Sequence, residues 1–273
     1  MSLKTYLPRF LNVGFFSVLF ILPSALPAQR YSGTQADSIF KGSTLVVIPE
    51  GAKIPSMMLM GEQTDYKAKA FPEVLQPVLK LRENEELKEY KFSKDYIGFT
   101  HHHYQQYFKN IKVEGGEFIV HEKLGRIISI NGSLLENVEA PVKAKISHKE
   151  AIQLAMKHLG AKRYKWENPL EESRLRKMKK DSAATYYPAP ELVIASKNLD
   201  PKKKDWHLCY KFDVYADEPM SRHWFFVDAI NGEIVAMEDR INTAHPKTTT
   251  NTGIRGPSTN PNPGIRQEAA PKN

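Results

Sequence analysis

One cysteine, Cys209, is all that the 273 residues contain. An intramolecular disulfide is therefore excluded, and packing with hydrogen bonds must hold the fold. Beyond the N-terminal stretch no apolar run is long enough to span a bilayer. Neither G-x-x-x-x-G-K nor G-x-G-x-x-G occurs, which removes the common phosphate-binding loops. G-x-S-x-G, the nucleophile elbow of serine hydrolases, is also missing. So is H-E-x-x-H, whose two histidines one helical turn apart clamp a zinc ion. The nearest approach is HEKLG at His121–Gly125. Its fifth residue is glycine, and it reads as a hairpin loop rather than a helix. No catalytic, metal or cofactor residue is assigned from the sequence, and no cofactor is expected.

Charge is equally uninformative about nucleic acid. The net formal charge is +8. Basic residues cluster at Ser173–Lys180 (SRLRKMKK) and Pro201–Asp205 (PKKKD) without interleaved aromatics. Both read as solvated faces, so no nucleic-acid partner is expected.

What is present starts at the N-terminus. MSLKTYLPRFLNVGFFSVLFILPSALPAQR carries Lys4 and Arg9, then an apolar run, then small residues. This is the pattern of a secretory signal. Cleavage is expected between Ala28 and Gln29, with Ala25 as the second choice. The competing reading, a retained anchor, is weakened by Pro23, Pro27, Asn12 and Gly14 inside the run. The expected location is secreted or periplasmic, with no membrane association after signal removal.

The body alternates between sheet and helix patterns. STLVVIP (Ser43–Pro49) reads as a strand, and the Met-rich KIPSMMLMGE as core. Leu75, Val78 and Leu79 form a helical stripe opened by Pro72, with Pro77 keeping that helix short or kinked. Glu83, Glu86 and Glu89, among Lys80, Arg82 and Lys88, read as an ordinary charged helical surface. From Gly98 to Leu134 period-2 alternation predicts an antiparallel meander. Phe118 with Val120, and Ile128 with Ile130, are expected to share faces. Gly115-Gly116 and Asn131-Gly132 are expected at strand ends, and Asn131-Gly132-Ser133 matches a short glycosylation sequon. ISHKEAIQLAMKHLG is the clearest helix. Ser147 and Glu150 form a capping box, Ile152, Ala155, Met156 and Leu159 a stripe, and Gly160 a stop. Glu167–Ala184 reads as an irregular insertion, and APELVIAS as a strand. WHLCYKFDVY alternates with Trp206, Leu208, Tyr210, Phe212 and Val214 on a buried face and a wetter face opposite. A hairpin turns at Ala229–Gly232, and a polar stretch runs from Ile241 to Asn273 that reads as a disordered tail or linker.

Two residue types invite chemistry. His101–His103 are consecutive, so on a strand only His101 and His103 can converge, and spacing places no further metal ligand beside them. Cys209 lies in a predicted strand and reads as a structural thiol.

The stretch DYIGFTHHHYQQYFKNIKVEGGEFIVHEKLGRIISINGSL resembles the fungalysin/thermolysin propeptide (FTP) family. Gly98, Thr100, His101, Tyr104, Gln105, Gln106, Gly116, Glu117, His121, Gly125, Arg126, Ser129, Asn131 and Gly132 stand at matching places. Phe108 replaces a tyrosine, His103 an arginine, Asn110 a glycine, Lys112 a proline and Glu114 an aromatic residue. Residues 144–240 are similar to the PepSY-type domain that follows in such precursors. The helix after Ser147, the P-x-S-R turn at Pro219, Ser221 and Arg222, and the V-D-A-x-x-G hairpin carry that resemblance.

The resemblance implies an α+β chain of two small domains, each an antiparallel sheet packed with a helix, the second cystatin-like. The implied boundaries are 1–28 signal, 29–143 FTP-like, 144–240 PepSY-like and 241–273 tail or linker. It also implies a pro-region, which inhibits and helps fold a thermolysin-like zinc metallopeptidase domain expected after residues 240–244. Only the polar stretch follows there, so the chain by itself is not expected to be an enzyme. Ile241, Asn242, Thr243, Ala244 and His245 occupy the processing junction and are expected to contact the protease cleft. The alternative is a free-standing secreted binding module with no protease partner.

Overall fold

In a computed structural model, which describes residues 28–241, the alternating stretches become twelve strands hydrogen-bonded into one sheet. The first half contains β1 (Gln29–Ser32), α1 (Thr34–Ile39), β2 (Ser43–Ile48), β3 (Met57–Met60) and α2 (Phe71–Leu79). The meander follows as β4 (Glu85–Lys94), β5 (Phe99–Phe108), β6 (Ile111–Lys123) and β7 (Arg126–Ser133). The second half contains α3 (His148–Leu159), β8 (Arg163–Tyr164), α4 (Pro169–Lys179) and β9 (Glu191–Ser196). It ends with β10 (Trp206–Glu218), β11 (Met220–Asp228) and β12 (Ile234–Asp239). The sheet runs β1-β2-β3-β7-β6-β9-β10-β11-β12, with β4 beside β5, β5 also beside β6, and β8 beside β10.

The α+β class is observed, but each half does not have a sheet of its own. β6 joins them. Its Lys112 and Val113 pair in parallel with Val193 and Ile194 of β9. Its Glu117–Lys123 portion pairs antiparallel with β7. Between the two portions the register against β5 shifts, from Tyr107↔Lys112 to Gln105↔Glu117. The surplus residues form a bulge at Glu114-Gly115-Gly116, with Gly115 at φ +84°. A bulge re-aims a strand at the cost of ladder hydrogen bonds. Gln105 supplies replacements. Its buried side-chain amide donates to the carbonyls of Val113 at 2.8 Å and Gly116 at 2.7 Å. Gln106, fully buried, bonds both backbone groups of Leu135 at 2.9 Å. A side chain on residue 116 would run into Gln106, so glycine is required there. Of the two signals expected at strand ends, Gly115-Gly116 thus lies inside β6, whereas Asn131-Gly132 lies at the end of β7.

Hydrophobic burial backs each half with a helix. Phe71 and Leu75 of α2 are fully buried with Phe118, Val120 and Met58. Phe71 packs against the Tyr104 ring at 4.6 Å, and the Tyr104 hydroxyl donates to the Ala68 carbonyl. In the second half Ala151, Ile152 and Ala155 of α3 pack on Phe212, Val214, Phe225 and Val227. The Ser147 hydroxyl accepts from Glu150 N, and Gly160 ends α3 in the left-handed conformation. A third cluster unites the halves: Phe108, Val113, Leu135 and Val138 with Ile194 and Trp206.

Several local expectations change once pairing is known. Glu86, Lys88 and Glu89 lie on strand β4, not on a helix, because that segment pairs along β5. The Glu167–Ala184 stretch contains α4. Asn168 caps it, Pro169 opens it, acids occupy its first turn and bases its last. Its buried Glu172 accepts from Tyr186 N at 2.7 Å and ties down the following loop. The hairpin loop expected at His121–Gly125 shrinks to Leu124-Gly125, both at positive φ, and His121 stays in β6. A bulge opposite His121 and Glu122 puts Ile127, rather than Ile128, on the buried face with Ile130. On β10 the Trp206–Val214 face is the apolar one as expected. The opposite face is drier than expected. Cys209 is buried with Val193, Ala195 and Phe226, and Lys211 reaches across to Glu114 at 2.7 Å.

The β11–β12 turn is held by Asp228. Its buried carboxylate accepts from Ile230 N and Asn231 N, and contacts the His207 ring at 2.7 Å. Burial works against a charge on His207, but Asp228 and then Asp205 outweigh it and hold its pKa above the ordinary value.

Two outcomes are expected. Gln106→Leu leaves both Leu135 backbone groups buried and unpaired, at a cost of about 2–4 kcal/mol. A urea titration will read this as a lower midpoint at unchanged slope; a loss below about 1 kcal/mol would contradict the role given to Gln106. The stabilisation from charged His207 is fully present below about pH 6.5 and fades as pH rises through its raised folded pKa. The stability deficit of His207→Gln should therefore be largest near pH 5.5 and shrink toward about pH 9 in parallel denaturant melts.

Candidate functional site

Strand alternation decides what the three histidines can do. His102 points to the face that carries Tyr104, where it contacts Glu89 at 2.8 Å. His101 and His103 share the opposite face but do not converge on one point. His103 contacts Glu117 at 2.9 Å, and Tyr90 donates its hydroxyl to the same carboxylate oxygen. His101 instead meets His121, its cross-strand neighbour, Nδ1 to Nδ1 at 2.7 Å. His121 Nε2 lies against Asn131 Oδ1, and His101 Nε2 is 3.3 Å from Asp95.

Asn131 Oδ1 can only accept, so His121 Nε2 carries a proton, and the Nδ1–Nδ1 contact needs one further proton on either ring. Burial, then the charges of His101 and His103, push the His121 pKa down although the Asn131 bond opposes them. Burial raises the Asp95 carboxyl, but it is outweighed by the N–H of Phe99, by His101 and by the N–H of Ile97, so its pKa is lowered. The row pins β5, β6 and β7 together on a half-exposed face. Among the described residues no group of three or more His, Cys, Asp or Glu side chains is arranged to hold a metal ion. The sequence placed His121 in a loop. Only the β5–β6 register brings it to His101.

Cys209 is fully buried, and burial, then the charge of Asp228, pushes its thiol pKa far up. A thiol held protonated in this way packs as a small apolar side chain.

Ala28 precedes the first strand, and Gln29 opens β1 opposite Ile48. Of the junction residues, Ile241 is described. Asn242, Thr243, Ala244 and His245 lie outside the described residues. The chain's approach to this point is anchored from three sides. Asp213 takes Arg222 through two guanidinium nitrogens, at 2.9 and 2.6 Å. Arg240 joins the same carboxylate, lies over the Trp224 ring at 4.4 Å, and donates its N–H to the Arg222 carbonyl. Ile241 N donates to Asp239. Charge-assisted, bidentate bonds of this kind are among the stronger and more directional ones. Asp213, Arg222 and Trp224 also line an open groove of about 500 Å³, whose other wall is Tyr186, Tyr187 and Leu175. The arrangement can hold and aim an extended segment. It offers binding geometry rather than a nucleophile or an acid–base pair.

Residues 85–134 match the model of the Fungalysin/Thermolysin Propeptide Motif, and no catalytic-domain family was found. That stretch is the β4–β7 meander, including the histidine row and the Gln105-Gln106 pair. A search of curated protein sequences found no match. Among solved structures, the Bacillus megaterium YpeB C-terminal domain is similar at a TM-score of 0.34 and 12% identity, over 71% of this chain and 75% of that one. No helix among the described residues is long and apolar enough to cross a membrane. Residues 85–134 thus match a propeptide motif within an α+β scaffold.

Proposed function

We propose that the chain is the pro-region of a secreted thermolysin-like zinc metallopeptidase, inhibiting that peptidase domain and helping it fold. The observation that carries the reading is the propeptide motif over residues 85–134. Supporting it, the motif residues are the ones that shape the sheet: Gln105 and Gln106 staple the bulge, and His101, His121 and Asn131 tie three strands. In this reading residues 144–240 form the PepSY-like part. The processing junction then follows Arg240, where Asp213 and Trp224 aim the chain out of the fold. Ile241, Asn242, Thr243, Ala244 and His245 enter the protease cleft like a substrate. An extended segment leaving a sheet can gain affinity there through main-chain hydrogen bonds. Residues 1–28 direct export to the periplasm or beyond the cell and are then removed, a cut that leaves β1 whole.

Three measurements test these statements. Purified 29–273 should inhibit a thermolysin-like zinc peptidase, ideally one encoded by the same organism, slowly and tightly. A folded protein without effect on a cognate peptidase would turn the reading toward a stand-alone binding module. Deleting Ile241–His245 should weaken inhibition by at least about tenfold, the loss of a few main-chain hydrogen bonds; unchanged inhibition would remove the cleft role of this segment alone. Intact mass of the exported protein should place its first residue at Gln29.

A further inference from the structure

Two hairpins end side by side at one edge of the meander. Phe99 pairs with Lys123, so the β4–β5 loop, Asp95–Gly98, adjoins the β6–β7 turn at Leu124-Gly125. Apolar side chains crown both. Tyr96 is 98% exposed, Leu124 92%, Phe92 67% and Ile97 55%. None of these four contributes to the buried clusters, and Leu124 occupies a positive-φ turn position that favours asparagine or glycine. A large aliphatic residue there is unfavourable for the turn and gains nothing from the fold.

The charges around the crown are sorted. Lys91 and Lys94 are exposed, and Lys123 lies over the Phe99 ring at 4.6 Å with its ammonium at the same end. The acids beside the tip are engaged by neighbours: Asp95 accepts from Ile97 N and Phe99 N and contacts His101, and Glu122 faces His102. Glu62 and Asp65, the exposed acids of the neighbouring loop, are offset there: Asp65 pairs with Lys67, and the loop's Glu62 and Thr64 carbonyls are held by Arg126. The outcome is a convex apolar tip with a basic rim.

We propose that this pair of hairpin tips docks on an anionic membrane surface. Tyr96, Ile97 and Leu124 enter the headgroup–acyl boundary, with Phe92 at its margin, and Lys91, Lys94 and Lys123 pair with lipid phosphates. The shape favours this occupant over a protein groove, because exposed side chains on narrow turns, Tyr96 and Leu124 above all, can sink into a fluid interface without a complementary wall. Aromatic and apolar residues flanked by lysine suit that boundary, where apolar burial and attraction to anionic lipid add. The proposal is independent of the pro-region reading; it departs from the expectation of no membrane association after signal removal, and describes peripheral contact, not a span.

The test is vesicle flotation with 29–273, which carries every described strand and helix. Phosphatidylglycerol–phosphatidylcholine vesicles are compared with phosphatidylcholine alone at low salt, on the order of 50 mM. Binding is expected to the anionic vesicles only, weakening at high salt. Tyr96→Ser with Ile97→Ser and Leu124→Asn should cut binding at least about tenfold. Lys91→Gln and Lys94→Gln should each cost about fivefold. Thermal melts check folding, and Tyr96→Ser alone repeats the comparison should the triple variant melt lower. No flotation of the wild type, equal binding to neutral vesicles, or full binding by the tip variants would overturn the proposal. So would tip variants that keep vesicle binding but lose peptidase inhibition, which would assign the patch to a protein partner.

Discussion

The two buried glutamines, Gln105 and Gln106, hold the point on which the architecture turns. At the Glu114–Gly116 bulge β6 stops pairing with β9 and begins pairing with β7. Such a switch leaves backbone carbonyls without ladder partners, and a buried unpaired carbonyl is costly. A primary amide is the right device because it can donate twice and accept in one plane. Gln105 closes the bulge from inside, and Gln106 imitates a neighbouring strand for Leu135. The bulge they close lies between the parallel contact to β9 and the antiparallel pairing with β7.

The rest of the sheet divides its faces according to this arrangement. One face of each half is apolar and covered by a helix, α2 or α3. The opposite face is mixed: it buries Cys209 with Val193, Ala195 and Phe226, and it carries paired polar groups, His101 with His121 and Asn131, Lys211 with Glu114, and Asp213 with Arg222 and Arg240. These are mutual contacts between strands, and they stiffen the surface. Such a surface suits a scaffold that presents its ends, the hairpin tips at one edge and the chain exit after Arg240 at another.

Much of the local structure was legible. Helix α3 could be read from Ser147, Glu150 and Gly160, because caps and stripes are set by neighbours in the chain. The β10 pattern was equally plain on its apolar side. Helix α4 was not, since only Leu175 and Glu172 are buried on it and no apolar stripe forms. Its signals were the Asn168-Pro169 start and the acid-to-base gradient, which carry less weight than hydrophobic period. The charged β4 was misread as helical because pairing with β5 overrides a weak local preference.

By itself the sequence determined the α+β class, the paired alternations, the lone buried thiol and the propeptide motif, all of which rest on residue type and short spacing. Tertiary structure alone decided which residues meet. A bulge moved Ile127 to the core in place of Ile128. Strand register set His121 against His101, and a parallel contact between residues far apart in sequence merged two expected sheets into one. A one-residue change of register reverses the face of every side chain beyond it. That choice is made by pairing partners distant along the chain, and no local pattern records it.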